Sequence, residues 1–87
     1  MTVQTPEEAT QDLIADIEEL NLLGGIENSL ISKLEATSNS LNNGQENAAI
    51  NELNAFINQV EAQRGKMITN EQADELIAEA QRITDNI

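Results

Sequence analysis

The chain has 87 residues, and 16 acidic against 4 basic side chains give it a formal net charge of −12. That length leaves room for one modest core and no second one, and the lack of cysteine excludes a disulfide framework and thiolate metal sites. The charge excludes nucleic acid as a partner and disfavours an anionic membrane surface, because every approach would set carboxylate against phosphate.

The residues favour helix throughout. Leu, Ile and Ala dominate the apolar positions, Phe56 is the only aromatic residue, and glycine and proline fall between periodic segments. The first helix is expected over 6–20. Thr5 is a good N-cap, Pro6 fits the first helical position, and Glu8 completes a capping box. Ala9, Leu13, Ile14, Ile17 and Leu20 form its apolar stripe, and Gly24-Gly25 is expected to end the segment in left-handed conformations.

A second helix runs from about Glu27 (or Ile26) to Asn42, with Ile26, Leu30, Ile31, Leu34 and Leu41 on one face. Its stretch Thr37-Ser38-Asn39-Ser40 is a poor helix former, since these side chains compete for backbone groups. It is expected to be the least stable stretch of helix, and Asn42-Asn43-Gly44 stops it.

The third helix, 46–63, has the strongest periodicity: Ala49, Ile50, Leu53, Phe56, Ile57 and Val60 follow helical spacing. Arg64-Gly65-Lys66 closes it, the cations compensating the negative end of the helix dipole. The fourth helix, 70–85, begins with a second capping box from Thr69 and Gln72. Met67 or Ile68 staples onto its first turn, and Ala73, Leu76, Ile77, Ala80 and Ile83 form its stripe; Ile87 is expected to fray. Short links make sequential helices antiparallel neighbours, so the fold is all-α, a compact bundle of four short antiparallel helices making one domain over 1–87.

Several chemistries are missing. Without His, Cys, Tyr or Trp, the usual general bases, thiol nucleophiles and transition-metal sites disappear together. Lys33 follows Ser29 by one residue too many for lysine-assisted acyl transfer, and no phosphate-cradling glycine loop is present. A carboxylate pair for glycoside hydrolysis would need a cleft lined with aromatics that the chain lacks. The chain is expected not to be an enzyme and to carry no cofactor. The densest apolar stretch, Leu20 to Leu23, is interrupted by Asn21, so membrane insertion is not expected. No signal sequence opens the chain; Met1-Thr2-Val3-Gln4 reads as the start of an excised domain.

Two acidic columns stand out. Glu8, Asp12 and Asp16 on the first helix, and Glu71, Glu75 and Glu79 on the fourth, recur at four-residue steps. Like charges at that spacing each cost about 0.2–0.5 kcal/mol. If the two helices are neighbours, the columns could face each other and hold Ca²⁺ through oxygen ligands. The plainer reading is a solvated face, and no EF-hand loop is present. Arg64 and Lys66 suit a small basic patch or, more simply, dipole compensation. Lys33 is expected in solvent, paired with Glu35 or a neighbouring helix.

From Gly25 onward the residues carry a resemblance. Gly25-Ile26-Glu27-Asn28-Ser29-Leu30, Lys33-Leu34, Leu41, Gly44, Ala48-Ala49-Ile50-Asn51 and Leu53 are similar to the FIMAH-type domain. So are Phe56-Ile57-Asn58-Gln59-Val60-Glu61-Ala62-Gln63, Gly65-Lys66 and Ile68, and the likeness spans roughly Glu8 to Ile83. Thr37 and Ser38 depart from it, standing where small or apolar residues are expected. The hairpin around Leu41, Gly44, Ala49-Ile50 and Leu53 is also similar to one tetratricopeptide unit, but no period of about 34 residues supports a solenoid.

The resemblance implies a helical accessory module at or near the C-terminal end of long, secreted or surface-attached prokaryotic proteins. It supplies no catalytic or ligand residues. The expected function is a non-catalytic structural or protein-interaction module, extracellular or at the cell surface, monomeric, with another protein domain as partner. The alternative is a calcium-responsive module using the acidic columns.

Overall fold

Thr5 starts the first helix by accepting a hydrogen bond from Glu8 N–H at 3.1 Å, while Glu8 Oε1 accepts from Thr5 N–H at 2.9 Å. Both ends of the capping box are therefore closed, and Pro6 occupies the first turn of α1, Pro6–Leu20. The computed structural model describes residues 5–22 and 25–87. The helices that follow are α2, Ile26–Asn42, α3, Glu46–Gln63, and α4, Asn70–Asp85. Three spans coincide with those read from spacing, and α2 takes the earlier of the two starts considered for it.

The end of α1 differs from expectation. Asn21 takes the left-handed conformation, with φ 51° and ψ 51°, and stops the helix three residues before the first glycine of the pair. Asparagine is the usual substitute for glycine there, because its short polar side chain tolerates that region. Gly25 instead precedes α2 with φ −78°, so its missing Cβ is not what the turn requires. Gly24, Leu23 and the first four residues lie outside the described residues.

Two other stops behave as glycine stops should. Gly44 has φ +74°, its N–H donates to Leu41 O at 3.1 Å, and Gln45 N–H reaches Ser40 O at 2.8 Å. Those two bonds make the paired closure that satisfies the last carbonyls of a helix. Gly65, at φ +77°, folds the chain back so that Gly65 N–H donates to Ile68 O at 2.7 Å and Ile68 N–H to Gln63 O at 3.2 Å. Ile68 is buried next to the Thr69–Gln72 capping box, whereas Met67 stays exposed. Of the two staple candidates, Ile68 is the one that packs.

Arg64 does more than compensate a dipole. It is bonded to Glu61 and to Asp74, each at 2.7 Å, and donates to Asn70 O at 3.3 Å. The end of α3 is thus tied to the start of α4, and the Asp74 bond, then the Glu61 bond, raise the Arg64 pKa further.

Each helix packs against the next in sequence, and α4 closes the ring against α1. Cross-links fix the directions. Ser29 meets Gln59 while Ser40 meets Glu52, so α2 and α3 run antiparallel. Thr5 and Asn86 line one groove, and Leu20 and Leu76 another, so α1 and α4 run antiparallel too. The radius of gyration, 12.2 Å, matches the ~12 Å of a compact folded chain of this length.

The core holds Leu13, Ile14 and Ile17 from α1, Ile26, Leu30 and Leu34 from α2, and Leu53, Phe56 and Val60 from α3, with Leu76 and Ile83 from α4. Burying each such side chain contributes about 1.5–3 kcal/mol, and Phe56, the largest, is fully enclosed. Ile31, Ile57, Ile77 and Ile87 pack half-buried at its margin, so Ile87 covers the core rather than fraying away from it.

The inner face of α2 changes chemistry at its midpoint. Beyond Leu34 the buried positions are Thr37, Ser38 and Ser40. Each is provided for: Thr37 Oγ1 donates to Lys33 O at 2.9 Å, Ser38 Oγ accepts from Gln11 Nε2 at 3.2 Å, and Ser40 Oγ donates to Glu52 Oε1 at 2.7 Å. Thr10 on α1 is likewise buried and bonded to Pro6 O at 2.7 Å. No buried side-chain polar atom among the described residues lacks a partner, as a folded core requires.

Candidate functional site

The seam between α1 and α4 is the least extensive of the four and carries two grooves. One, of about 420 Å³, is lined by Thr5, Ala9, Asp12, Ile83 and Asn86. The other, of about 570 Å³, is lined by Glu19, Leu20, Glu75, Leu76 and Ala78. Asp16, Glu79 and Arg82 belong to both and form the wall between them.

Asp16 and Glu79 are half-buried, come from opposite helices and line both grooves together. Two carboxyl groups so placed can share a hydrogen bond only when one carries the proton. Burial first, then the bond to and repulsion from Asp16, push the Glu79 carboxyl up to about 7. Glu75 adds to the rise, and the Arg82 cation opposes it.

The acidic columns are distributed less evenly than their spacing implies. Asp16 and Glu79 meet; Asp12 lines the first groove and Glu75 the second. Glu8 is engaged in its capping box, and Glu71 stands exposed in the first turn of α4, in neither groove. The antiparallel stagger accounts for this. With residue 16 opposite residue 79, Glu8 faces the far end of α4, and Glu71 lies beyond the end of α1. Each four-residue step also turns a side chain about 40° around its helix, so a column drifts off the seam. Among the described residues, no three carboxylates come together in a group that could hold a metal ion.

Elsewhere, Ser29 Oγ lies 3.1 Å from Gln59 Oε1, accepts from Gln59 Nε2 at 2.9 Å, and accepts from Lys33 Nζ at 3.4 Å. Lys33 is therefore half-buried over Ser29 rather than paired with Glu35 in solvent. The serine ties α2 to α3, which gives it a structural task in place of a nucleophilic one.

The FIMAH domain model matches residues 21–85, taking in α2, α3 and α4 and so most of the chain. The chain belongs to the FIMAH domain family. No curated protein and no solved structure matches it. FIMAH domains are small helical accessory domains, and the family is not one of known enzymes. The match begins at Asn21 and leaves α1 outside, whereas the resemblance in the residues extends back to about Glu8. The α1–α4 seam thus joins the FIMAH-matched helices to a helix beyond the match. Among the described residues, no helix of this FIMAH domain is long and apolar enough to cross a membrane.

What spacing had missed here are single contacts. Gln11, Gln59 and Glu52 each hold a buried or half-buried hydroxyl on α2. The usable signal was the hydroxyls themselves, since Thr37 and Ser40 fall where the stripe of Leu30 and Leu34 continues.

Proposed function

We propose that this FIMAH domain is a non-catalytic, protein-interacting accessory module at the C-terminal end of a larger extracellular protein, acting there as a monomer. Family membership over residues 21–85 carries the reading. It is supported by a sequence without His, Cys, Tyr or Trp, since the usual general bases and thiol nucleophiles are then unavailable. It is supported further by buried hydroxyls that are each engaged, Ser38 and Ser40 with a neighbouring helix and Thr10 and Thr37 with the preceding turn of their own. A catalytic side chain would instead be held toward open space.

The test is made on the chain as it stands. Chromogenic substrates for glycosidases, esterases and peptidases should give no turnover above buffer. Turnover that Glu79→Gln or Asp16→Asn abolishes would overturn the reading. A second arm measures thermal unfolding after chelation, with and without millimolar Ca²⁺ at matched ionic strength. The accessory reading expects a shift of about a degree or two from screening. A rise of about 10 °C or more, as a specific site near saturation would give, would support instead a calcium-responsive module built on Glu8, Asp12, Asp16, Glu71, Glu75 and Glu79.

A further inference from the structure

We propose that the α1–α4 seam is a proton-operated latch, in which a shared proton between Asp16 and Glu79 holds α1 against α4 and its loss loosens that side of the bundle. The geometry is that of an interface with two carboxyl groups facing across it. Asp16 and Glu79 are half-buried, come from opposite helices, and separate two open grooves along the seam that packs least extensively.

The charges facing the pair determine the direction of the effect. Asp12 and Glu19 approach from α1, Glu75 and Arg82 from α4, and no charged side chain of α3 lines either groove. With Glu79 protonated, its O–H donates to the Asp16 carboxylate, and the bond spans the seam. With Glu79 ionised, two carboxylates face each other at the same place, with Asp12, Glu19 and Glu75 nearby and, among the described residues lining the grooves, Arg82 alone to offset them.

The Glu79 carboxyl is raised from 4.5 to about 7, burial being the first cause. A group whose folded pKa lies above its unfolded one contributes stability that is complete below the unfolded value and lost as pH rises through the folded one. The latch is therefore closed near pH 4.5 and released through about pH 7. Because α1 stands outside the matched residues and α4 inside them, release would act on the helix that the match leaves out.

The experiment compares thermal unfolding midpoints and amide hydrogen exchange from about pH 5 to about pH 8 in the intact chain, Glu79→Gln, Asp16→Asn and Glu71→Gln. The intact chain should lose several degrees across that range. Its α1 amides, corrected for intrinsic exchange, should gain rate at least several-fold more than those of α3. Glu79→Gln should flatten both responses and be the more stable protein at high pH. Asp16→Asn should flatten them as well, and so serves if Glu79→Gln does not fold. Glu71→Gln, away from both grooves, should leave the slope as it is. A parallel loss in the intact chain, Glu79→Gln and Asp16→Asn would overturn the latch. Equal flattening by Glu71→Gln would also overturn it, since diffuse repulsion within the −12 charge would then be the cause.

Discussion

Two of the seams that bring polar groups between helices do so with opposite electrostatics. Between α2 and α3, Ser29 meets Gln59 and Ser40 meets Glu52, so each pairing has a donor for its acceptor at any ordinary pH. Between α1 and α4, Asp16 meets Glu79, and the pairing has a donor only while one carboxyl keeps its proton. The first seam is extensive, and the second is grooved. Polarity at a helix interface is thus compatible with tight packing. What opens a seam is a pairing of like groups, in which the bond depends on something drawn from solvent.

The widest separation between the two sides should come from cavities. Leu34→Ala on α2 and Ile17→Ala on α1 both truncate fully buried side chains, and such changes cost about 2–5 kcal/mol. The cost depends on how far the surroundings can close over the vacancy. Urea unfolding should place Leu34→Ala in the upper half of that range and Ile17→Ala in the lower half, because α1 sits over grooves and can move inward. Equal costs would remove the distinction between the seams.

A smaller effect isolates one tie. Ser40→Ala deletes the donor to Glu52 and leaves a half-buried carboxylate short of a partner, so chemical unfolding should show a loss of about 1–2 kcal/mol. No loss would mean that water replaces the hydroxyl there and that the α2–α3 seam is wetter than it looks. The smallest expected change concerns helix starts. Thr5→Ala and Thr69→Ala each remove a closed capping box, at about 1 kcal/mol. Thr5→Ala should in addition speed amide exchange through α1 more than Thr69→Ala does through α4, whose start is also held by Arg64.

The same contrast explains what could be read from the sequence. Helix limits and both capping boxes were legible because they depend on neighbours within a few residues, as with Thr5 and Glu8 or Thr69 and Gln72. The fourfold stripe pattern was legible for the same reason. Asn21 was hidden by the glycine pair after it, since both residue types can take the left-handed turn and spacing does not show that the asparagine takes it. Thr37, Ser38 and Ser40 were hidden because polar side chains do not count toward an apolar stripe, and their partners lie on other helices or one turn back. For the acidic columns, spacing gave the right helices but not their stagger. It therefore could not tell that Asp16 is set against Glu79.

Thr5 and Asn86 line the same groove, so both ends of the described chain lie on one side of the bundle. An even number of antiparallel helices makes this unavoidable. Tension pulling those ends apart would meet the fold edge-on, peeling α1 from α4 one turn at a time like a hinge being opened. The strongest seam, α2–α3, lies across the ring and would bear little of that load at first. A domain tethered through both ends would then yield early under a modest pull, whereas one hung by a single end would transmit no force through its core at all.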